Sequence, residues 1–413
     1  MQSANEGGVT APGGSRSTTV LLAVALAYIS LGAILGFVQG GLAPVLRTQG
    51  MGLPAMRWVY ALFLPFGIAF LWAPLIDSWR WPWLGRRTGW IIPMQGLAVL
   101  ALAAASCIVP GPGRWSVLMA LGIVATLAAA TMDVALDALT VEMASEAQRP
   151  AAAAAKMGGI SLGSVLGGGV LVALYPRLGW QGTMGFIAAL MALSTLPVLA
   201  LIGADRALTG GAPRQRARMG KLLRERRMRD RLIRLTLLAC TLLALFNFNR
   251  LLLVDMGVSL ERIGSVLGTV GPLVNAAACA LGWLLVRKLP LRSAAVLMCA
   301  ACLLSAGLVW LGFAFTGPVV AMVGSVLTTA GASALYVVLG SLILEWAGGG
   351  QAATDYALLY GLGRFLGTAA LMVLPGVIQH IGWSAFQAGI VVAFAMAATY
   401  FLNLVPRGAA SRH

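Results

Sequence analysis

Charged residues are scarce in this chain. Only 10% of its 413 residues are charged, with 13 acidic residues and 2 histidines, whereas 59% are hydrophobic. Soluble domains carry roughly 25% charged residues, so this composition excludes an ordinary soluble domain. Apolar runs of about 20 residues recur along the chain, and each is long enough to cross a bilayer core. The sequence therefore predicts an all-α membrane protein.

Residues for metal, redox or nucleotide chemistry are also few. The two histidines, His380 and His413, cannot build a metal site alone. Five cysteines lie in or beside apolar runs, and their odd number argues against a disulfide framework. Cys299 and Cys302 form a C-x-x-C inside a predicted span, where they are interpreted as small packing residues. The chain has no phosphate-binding loop with Gly-Lys-Ser or Gly-Lys-Thr and no His/Cys spacing for a metal, so we expect no enzyme and no cofactor.

Glycine, proline and charged residues divide the apolar runs into twelve predicted spans. These are 18–46, 56–76, 89–109, 116–139, 153–175, 181–203, 235–254, 263–286, 293–314, 318–343, 354–377 and 384–405. The hydrophilic stretch 204–234 divides them six and six, which is the layout of a major facilitator transporter built from two pseudo-repeat halves. The predicted organisation is a disordered N-terminus (1–17), a six-helix bundle (18–203), a basic linker (204–234), a second six-helix bundle (235–405) and a tail (406–413).

Basic residues predict the orientation of these spans. With the N-terminus inside, the inside segments carry 22 Lys or Arg and the outside segments carry 5. This asymmetry predicts that both termini are cytoplasmic, in the inner membrane of a bacterium. It also explains the net charge of +16 and the basic linker, so we expect no nucleic-acid partner. The expected partners are membrane lipid and one small-molecule substrate, bound by a monomer.

The segment 70–90, "FLWAPLIDSWRWPWLGRRTGW", joins the second and third spans on the inside. Asp77 ends one helix there, and Arg86 and Arg87 precede the next. A carboxylate at a helix C-terminus opposes the helix dipole unless a cation neutralises it. An Asp–Arg bridge that forms in one conformation and breaks in another would make a gate. Plain anchoring by cytoplasmic arginines is the alternative.

The segment 131–142, "TMDVALDALTVE", places two acids at the end of an apolar run. Asp133 and Asp137 are four residues apart and share one helix face. The topology places Asp137 near the cytoplasmic water and Asp133 a turn deeper, with Glu142 outside the membrane. Intramembrane acids mark ion or proton paths, so both are candidates for proton coupling. A structural ion pair with the cytoplasmic arginines is the alternative.

Two arginines lie inside predicted spans. Arg250 lies in the outer part of the seventh span, and Arg364 lies near the middle of the eleventh. A guanidinium keeps its charge and needs an anionic partner. For Arg364 that partner is Asp133, Glu345 or a substrate carboxylate. The predicted substrate-binding residues are Arg364, Arg250, Asn247, Tyr336 and Tyr360, with ordinary packing as the alternative for the two tyrosines.

Glycines recur every four residues in two spans, at Gly159, Gly163 and Gly167 and again at Gly264 and Gly268. Such faces allow helix backbones to approach closely. We expect close packing there, along surfaces on which two halves can rock.

The segments "FLWAPLID…LGRRTGW", "MDVALDAL", "LGWQG" and "DYALLYGLGR" resemble the AmpG-like branch of the major facilitator superfamily. The resemblance implies a twelve-helix facilitator fold and proton-driven movement of a solute into the cytoplasm. It places these residues on motif positions: Asp77, Arg86, Arg87, Asp133, Asp137 and Arg364.

The branch contains permeases for anhydro-muropeptides and for siderophores. Compact size and the segments "LGFVQGGLAPVLR" and "NRLLLVDMG" resemble the siderophore (RhtX/FptX) group, which implies import of a pyochelin-like ferri-siderophore. Import of a muropeptide or another small anionic solute is the alternative within the same class. A membrane assembly factor that transports nothing is the alternative from another class.

Overall fold

The computed structural model describes residues 14–72, 75–76, 81, 83–143, 149–207, 226–346 and 352–405. In these parts of the chain, nine helices are long and apolar enough to cross a membrane. The crossing segments in chain order are α1 (Leu22–Thr48), α2 (Leu53–Ile68), α3 (Thr88–Ser106), α4 (Trp115–Met143), α5 (149–178), α6 (180–199), α7 (Arg226–Asp255), α8 (Leu260–Lys288), α9 (Leu291–Thr316), α10 (Pro318–Trp346), α11 (352–381) and α12 (383–402).

Two of the nine long helices each contain two crossings. Gly179 interrupts one with φ +64° and Gly382 interrupts the other with φ +76°. A positive φ turns the chain sharply and is open mainly to glycine. Each glycine is followed by a tryptophan, Trp180 or Trp383, so the two halves of the chain turn with the same residue pair. With these two breaks and the shorter α2, the described residues form twelve helical segments, and the predicted all-helical fold is confirmed.

The second crossing differs from its predicted bounds of 56–76. Its helix is built of short pieces and ends at Ile68, before a 3-10 turn at Ala69–Leu71. Pro54 and Pro65 lie in the first turns of two of these pieces. Proline has no backbone N–H to continue a helix, so each one starts a new piece.

The two ends of the helix bundle differ. At one end, here called the turn end, glycines with positive φ form the connections: Gly50, Gly113, Gly179, Gly257, Gly317 and Gly382. The opposite end carries Arg86 and Arg87 and is here called the basic end. The charge pattern predicts that the basic end faces the cytoplasm.

Glycine faces bring helices together as the sequence predicts. A Cβ on Gly163 would lie 2.6 Å from the backbone N of Ala33, so α5 packs directly on the backbone of α1. A Cβ on Gly268 of α8 would likewise overlap the backbone of Gly168 and Gly169 on α5. This second contact joins the first six helices to the last six.

Two buried clusters form the main part of the core. One consists wholly of residues from α7 and the helices that follow it. The other comes from α1 to α6, with a few members from later helices, among them Phe248, Leu371 and Phe386. These later members place apolar contact between the two groups of helices near the turn end.

Candidate functional site

Asp133 and Asp137 lie on α4 and face a lysine on α5. The Nζ of Lys156 lies 2.6 Å from Oδ2 of Asp137 and 3.8 Å from Oδ1 of Asp133. The hydroxyl of Tyr28 on α1 donates to Asp137, and Lys156 lies 5.2 Å from the centre of the Tyr28 ring. Two acids, one amine and one phenol therefore form a single cluster, here called the acidic cluster.

The two carboxylates of the acidic cluster differ in their surroundings. The side chain of Asp137 is 47% exposed and that of Asp133 is 29% exposed, in the order that the helix position predicts. Oδ1 of Asp133 is buried and has no hydrogen-bond partner among the described residues. Asp133 also interacts electrostatically with Arg364 on α11. This carboxylate thus has one cation at 3.8 Å and no hydrogen bond to it among the described residues, which suits a group that gains and loses a proton.

The expected ion pair between these acids and the arginines of the basic end is not what the described residues form. Lys156 is the partner, a residue near the start of the predicted span 153–175 to which the sequence assigned no role. Arg87 instead binds Glu142, with Nη2 2.6 Å from Oε1, and Nη1 of Arg86 lies 3.9 Å from the same oxygen. The side chain of Arg87 is 4% exposed, so its pair with Glu142 is largely screened from water.

The predicted gate residue Asp77 lies outside the described residues. Two other acids contact Arg87, one of the arginines expected to pair with Asp77. Glu142 binds its guanidinium, and Asp205 binds its backbone N–H. The backbone N–H groups of Arg87 and Thr88 each donate to Oδ2 of Asp205 at 2.8 Å. Asp205 therefore caps the start of α3, where a carboxylate is favoured by the helix dipole. Sequence reasoning missed Asp205 because 117 residues separate it from Thr88.

A cavity of about 340 Å³ lies between the two groups of helices. Three predicted substrate-binding residues line it, Asn247, Arg250 and Tyr336. Other polar residues that line it were not predicted: Gln39, Ser164, Asn249, Asn275, Thr329 and Ser333.

Arg250 is held by backbone carbonyls. Its guanidinium donates to the oxygens of Gly40 (2.7 Å), Gly168 (2.8 Å) and Leu267 (3.0 Å). Each carbonyl lies in a π-helical turn, at Phe37–Gly41, Leu166–Val170 and Gly264–Val270. A π turn displaces the usual i to i+4 bonding, so it leaves carbonyls available to other donors. Among the described residues, these three carbonyl groups therefore bind Arg250 in place of the anionic partner that the sequence predicts.

Arg364 and Tyr336 line a second cavity of about 240 Å³. Gln39, Phe246 and Tyr336 are common to both cavities, so the two adjoin. No described carboxylate forms a salt bridge with Arg364, and the side chain of Glu345 lies outside the described residues. The side chain of Tyr360 also lies outside them. The structure thus brings Arg250 and Arg364 to adjoining cavities along one path.

Contacts at the turn end close this path. Arg47 on α1 pairs with Asp255 on α7 at 2.7 Å, and the indole N–H of Trp383 donates to Asp255 at 2.8 Å. Below them the ring of Phe248 packs on Tyr60 and Phe386, with centroids 5.0 and 5.4 Å away. Nearer the basic end, Arg364 is exposed and the side chain of Asp137 is 47% exposed. The arrangement is closed at the turn end and more open towards the basic end.

Comparisons with known proteins agree with this fold. The family model for the Major Facilitator Superfamily matches residues 20–370. A bacterial homologue of the iron transporter ferroportin, solved in an inward-facing state, superposes with a TM-score of 0.70 at 18% identity over 95% of this chain and 98% of its own. A D-xylose-proton symporter superposes with a TM-score of 0.69 at 13% identity over 94% and 98% of the two chains. At such identities these likenesses show the fold alone.

Curated relatives belong to the AmpG-like branch. The anhydromuropeptide permease of Escherichia coli (strain K12) is 32% identical over 162 residues, which cover 39% of this chain and 33% of the permease. The putative transporter AmpG 4 of Rickettsia felis is 28% identical over 179 residues, covering 40% and 43% of the two chains. The chain thus spans between a third and a half of the length of these relatives. They do not support the expected closeness to the siderophore group.

Proposed function

This chain belongs to the major facilitator superfamily and is a multi-pass membrane transporter, and from that premise we propose that it imports an anionic muropeptide with protons. The observation that carries the choice of substrate is the 32% identity with an anhydromuropeptide permease. Import of a ferri-siderophore, which the sequence favoured, has no comparable support.

The cavity chemistry fits an anionic solute with many polar groups. Arg250 and Arg364 lie on adjoining cavities lined by amides and hydroxyls. A guanidinium binds carboxylates through paired N–H donors, and the carbonyls that now hold Arg250 are weaker acceptors than a carboxylate. We propose that Arg364, Arg250, Asn247, Tyr336 and Tyr360 contact the solute, with its carboxylates near the two arginines.

The acidic cluster is the proposed proton site. When Asp133 is ionised, the cation of Lys156 is shared between two carboxylates. Protonation of Asp133 would remove one negative charge and leave Lys156 wholly to Asp137. Because this cluster joins α1, α4 and α5, its charge state would change the packing of three helices of the first half. Asp133 is the proposed carrier, and Asp137 holds Lys156.

Alternating access would move the halves 18–203 and 235–405 against each other along the glycine faces of α5 and α8. We propose that Arg86 and Arg87, with Asp77 and Glu142, control opening at the basic end. Arg47, Asp255 and Arg250 would close the turn end in the state described here.

Uptake into proteoliposomes tests this function. The purified protein, with an inward-directed proton gradient, should accumulate radiolabelled anhydro-muropeptide, and a protonophore should abolish the accumulation. Asp133→Asn should lose accumulation, while the same change at Asp230, which pairs with Arg234 and lines neither cavity, should not. Gradient-driven uptake of ferri-pyochelin, with none of anhydro-muropeptide, would refute the proposed substrate.

A further inference from the structure

Asn249 occupies a position that no predicted role accounts for. The helix of α7 is interrupted at Phe248, whose ring is fully buried between Tyr60 and Phe386. The interruption separates Asn247, the last residue of one helical piece, from Asn249, the first residue of the next. Asn249 is 2% exposed, yet it lines the 340 Å³ cavity together with Arg250.

The carboxamide of Asn249 is not used by the fold. Neither its Nδ2 nor its Oδ1 has a hydrogen-bond partner among the described residues, and Oδ1 of Asn275 on α8 is likewise unpaired. Asn247 on the same cavity differs, because its Nδ2 donates to the carbonyl of Leu243 at 2.8 Å. Buried polar groups are nearly always hydrogen-bonded, so an amide left unpaired at a cavity wall points to a ligand.

The chemistry of the pair limits what this ligand group is. A carboxamide presents one acceptor and one donor side by side. A carboxylate would satisfy only donors and an ammonium only acceptors, whereas a trans secondary amide has an N–H and a C=O on opposite sides that can bond to one asparagine each. We infer that Asn249 and Asn275 form a subsite for a secondary amide, peptide or N-acyl, of the transported solute, beside the arginine that takes its carboxylate. This inference rests on the proposed function and specifies which group of a muropeptide is recognised.

A matched pair of probes tests the subsite on the purified full-length chain. N-acetylmuramic acid has one carboxylate and one secondary amide, and the 3-lactyl ether of glucose has the same carboxylate with a hydroxyl in place of the acetamido group. Titration calorimetry should show that the wild type prefers the amide probe by about tenfold, the effect of one or two well-placed hydrogen bonds. Asn249→Leu and Asn275→Leu should each reduce this preference to about twofold or less. Asn403→Leu, at an exposed site past the last helix, should leave it unchanged.

Thermal unfolding provides the second measurement. Because the fold does not use the Asn249 amide, Asn249→Leu should unfold at the wild-type temperature or above it. A clearly lower unfolding temperature would mean that the amide has a partner within the protein, and equal affinity of the wild type for the two probes would mean that no amide is recognised. Either result would overturn the subsite. A preference for the amide probe without muropeptide uptake would support the subsite and refute the proposed function. Muropeptide uptake without that preference would support the proposed function and refute the subsite.

Discussion

Arg250 should hold the turn end closed, and its removal should open it. Two of its three hydrogen bonds, to the carbonyls of Gly40 and Gly168, reach the first six helices, while the third stays within the last six. Hydrogen bonds to a charged group contribute about 1.5–3 kcal/mol each, so the two that cross between halves are worth about 3–6 kcal/mol. Since 1.4 kcal/mol is a factor of ten, Arg250→Met should shift the equilibrium towards opening by roughly 10²- to 10⁴-fold.

Spin labels across the turn end would measure this shift. Gln49 and Glu261 are exposed there, on opposite halves, and would be replaced by cysteine after removal of the five native cysteines. Pulsed electron resonance should give one short distance in the parent chain and an added longer one in Arg250→Met. Arg250→Lys should lie between the two, because a point charge cannot reach all three carbonyls.

A second variant separates this effect from any loss of charge at the turn end. The side chains of Arg47 and Asp255 are still 28% and 17% exposed, and an ion pair open to water contributes about 1 kcal/mol, so Arg47→Met should change the distances less than Arg250→Met. If Arg250→Met leaves the distance distribution unchanged, or if Arg47→Met opens the turn end as much, the assignment of closure to the carbonyl contacts is wrong.

Two further predictions concern packing and the basic end. Gly163→Ala should lower the unfolding temperature, because its Cβ would meet the backbone of α1 and overpacking costs about 1–3 kcal/mol. Gly158→Ala, with open space at its Cβ, should not lower it. Equal effects of the two changes in a thermal scan would contradict the close contact. Glu142→Arg should slow uptake, and adding Arg87→Glu should partly restore it, since the two side chains lie 2.6 Å apart. A double variant no faster than either single variant would show that their pairing does not matter for transport.

The helices and their close contacts follow from local sequence. Span length, the glycines every four residues and the shared face of Asp133 and Asp137 depend on residues a few positions apart, and all of these features appear in the fold. The π turns around Arg250 do not follow in this way, because a single inserted residue leaves no mark in hydropathy.

The partners of the charged residues were harder to predict. Lys156 lies on a different helix from Asp133 and Asp137, and Arg47 and Asp255 are separated in the sequence by 208 residues. Which helices face each other depends on tertiary packing, and helical periodicity carries no information about it. The amide of Asn249 illustrates the same limit, because its place on the cavity wall depends on the helices that surround it.

Proton-driven accumulation by wild type and Asp133→Asn shows whether the acidic cluster carries the proton. In proteoliposomes with an inward proton gradient, the wild type should concentrate anhydro-muropeptide, whereas Asp133→Asn should only equilibrate it across the membrane at unchanged protein levels. Concentrative, pH-dependent uptake by Asp133→Asn would contradict the account, because the cluster with Lys156 would then not carry the proton.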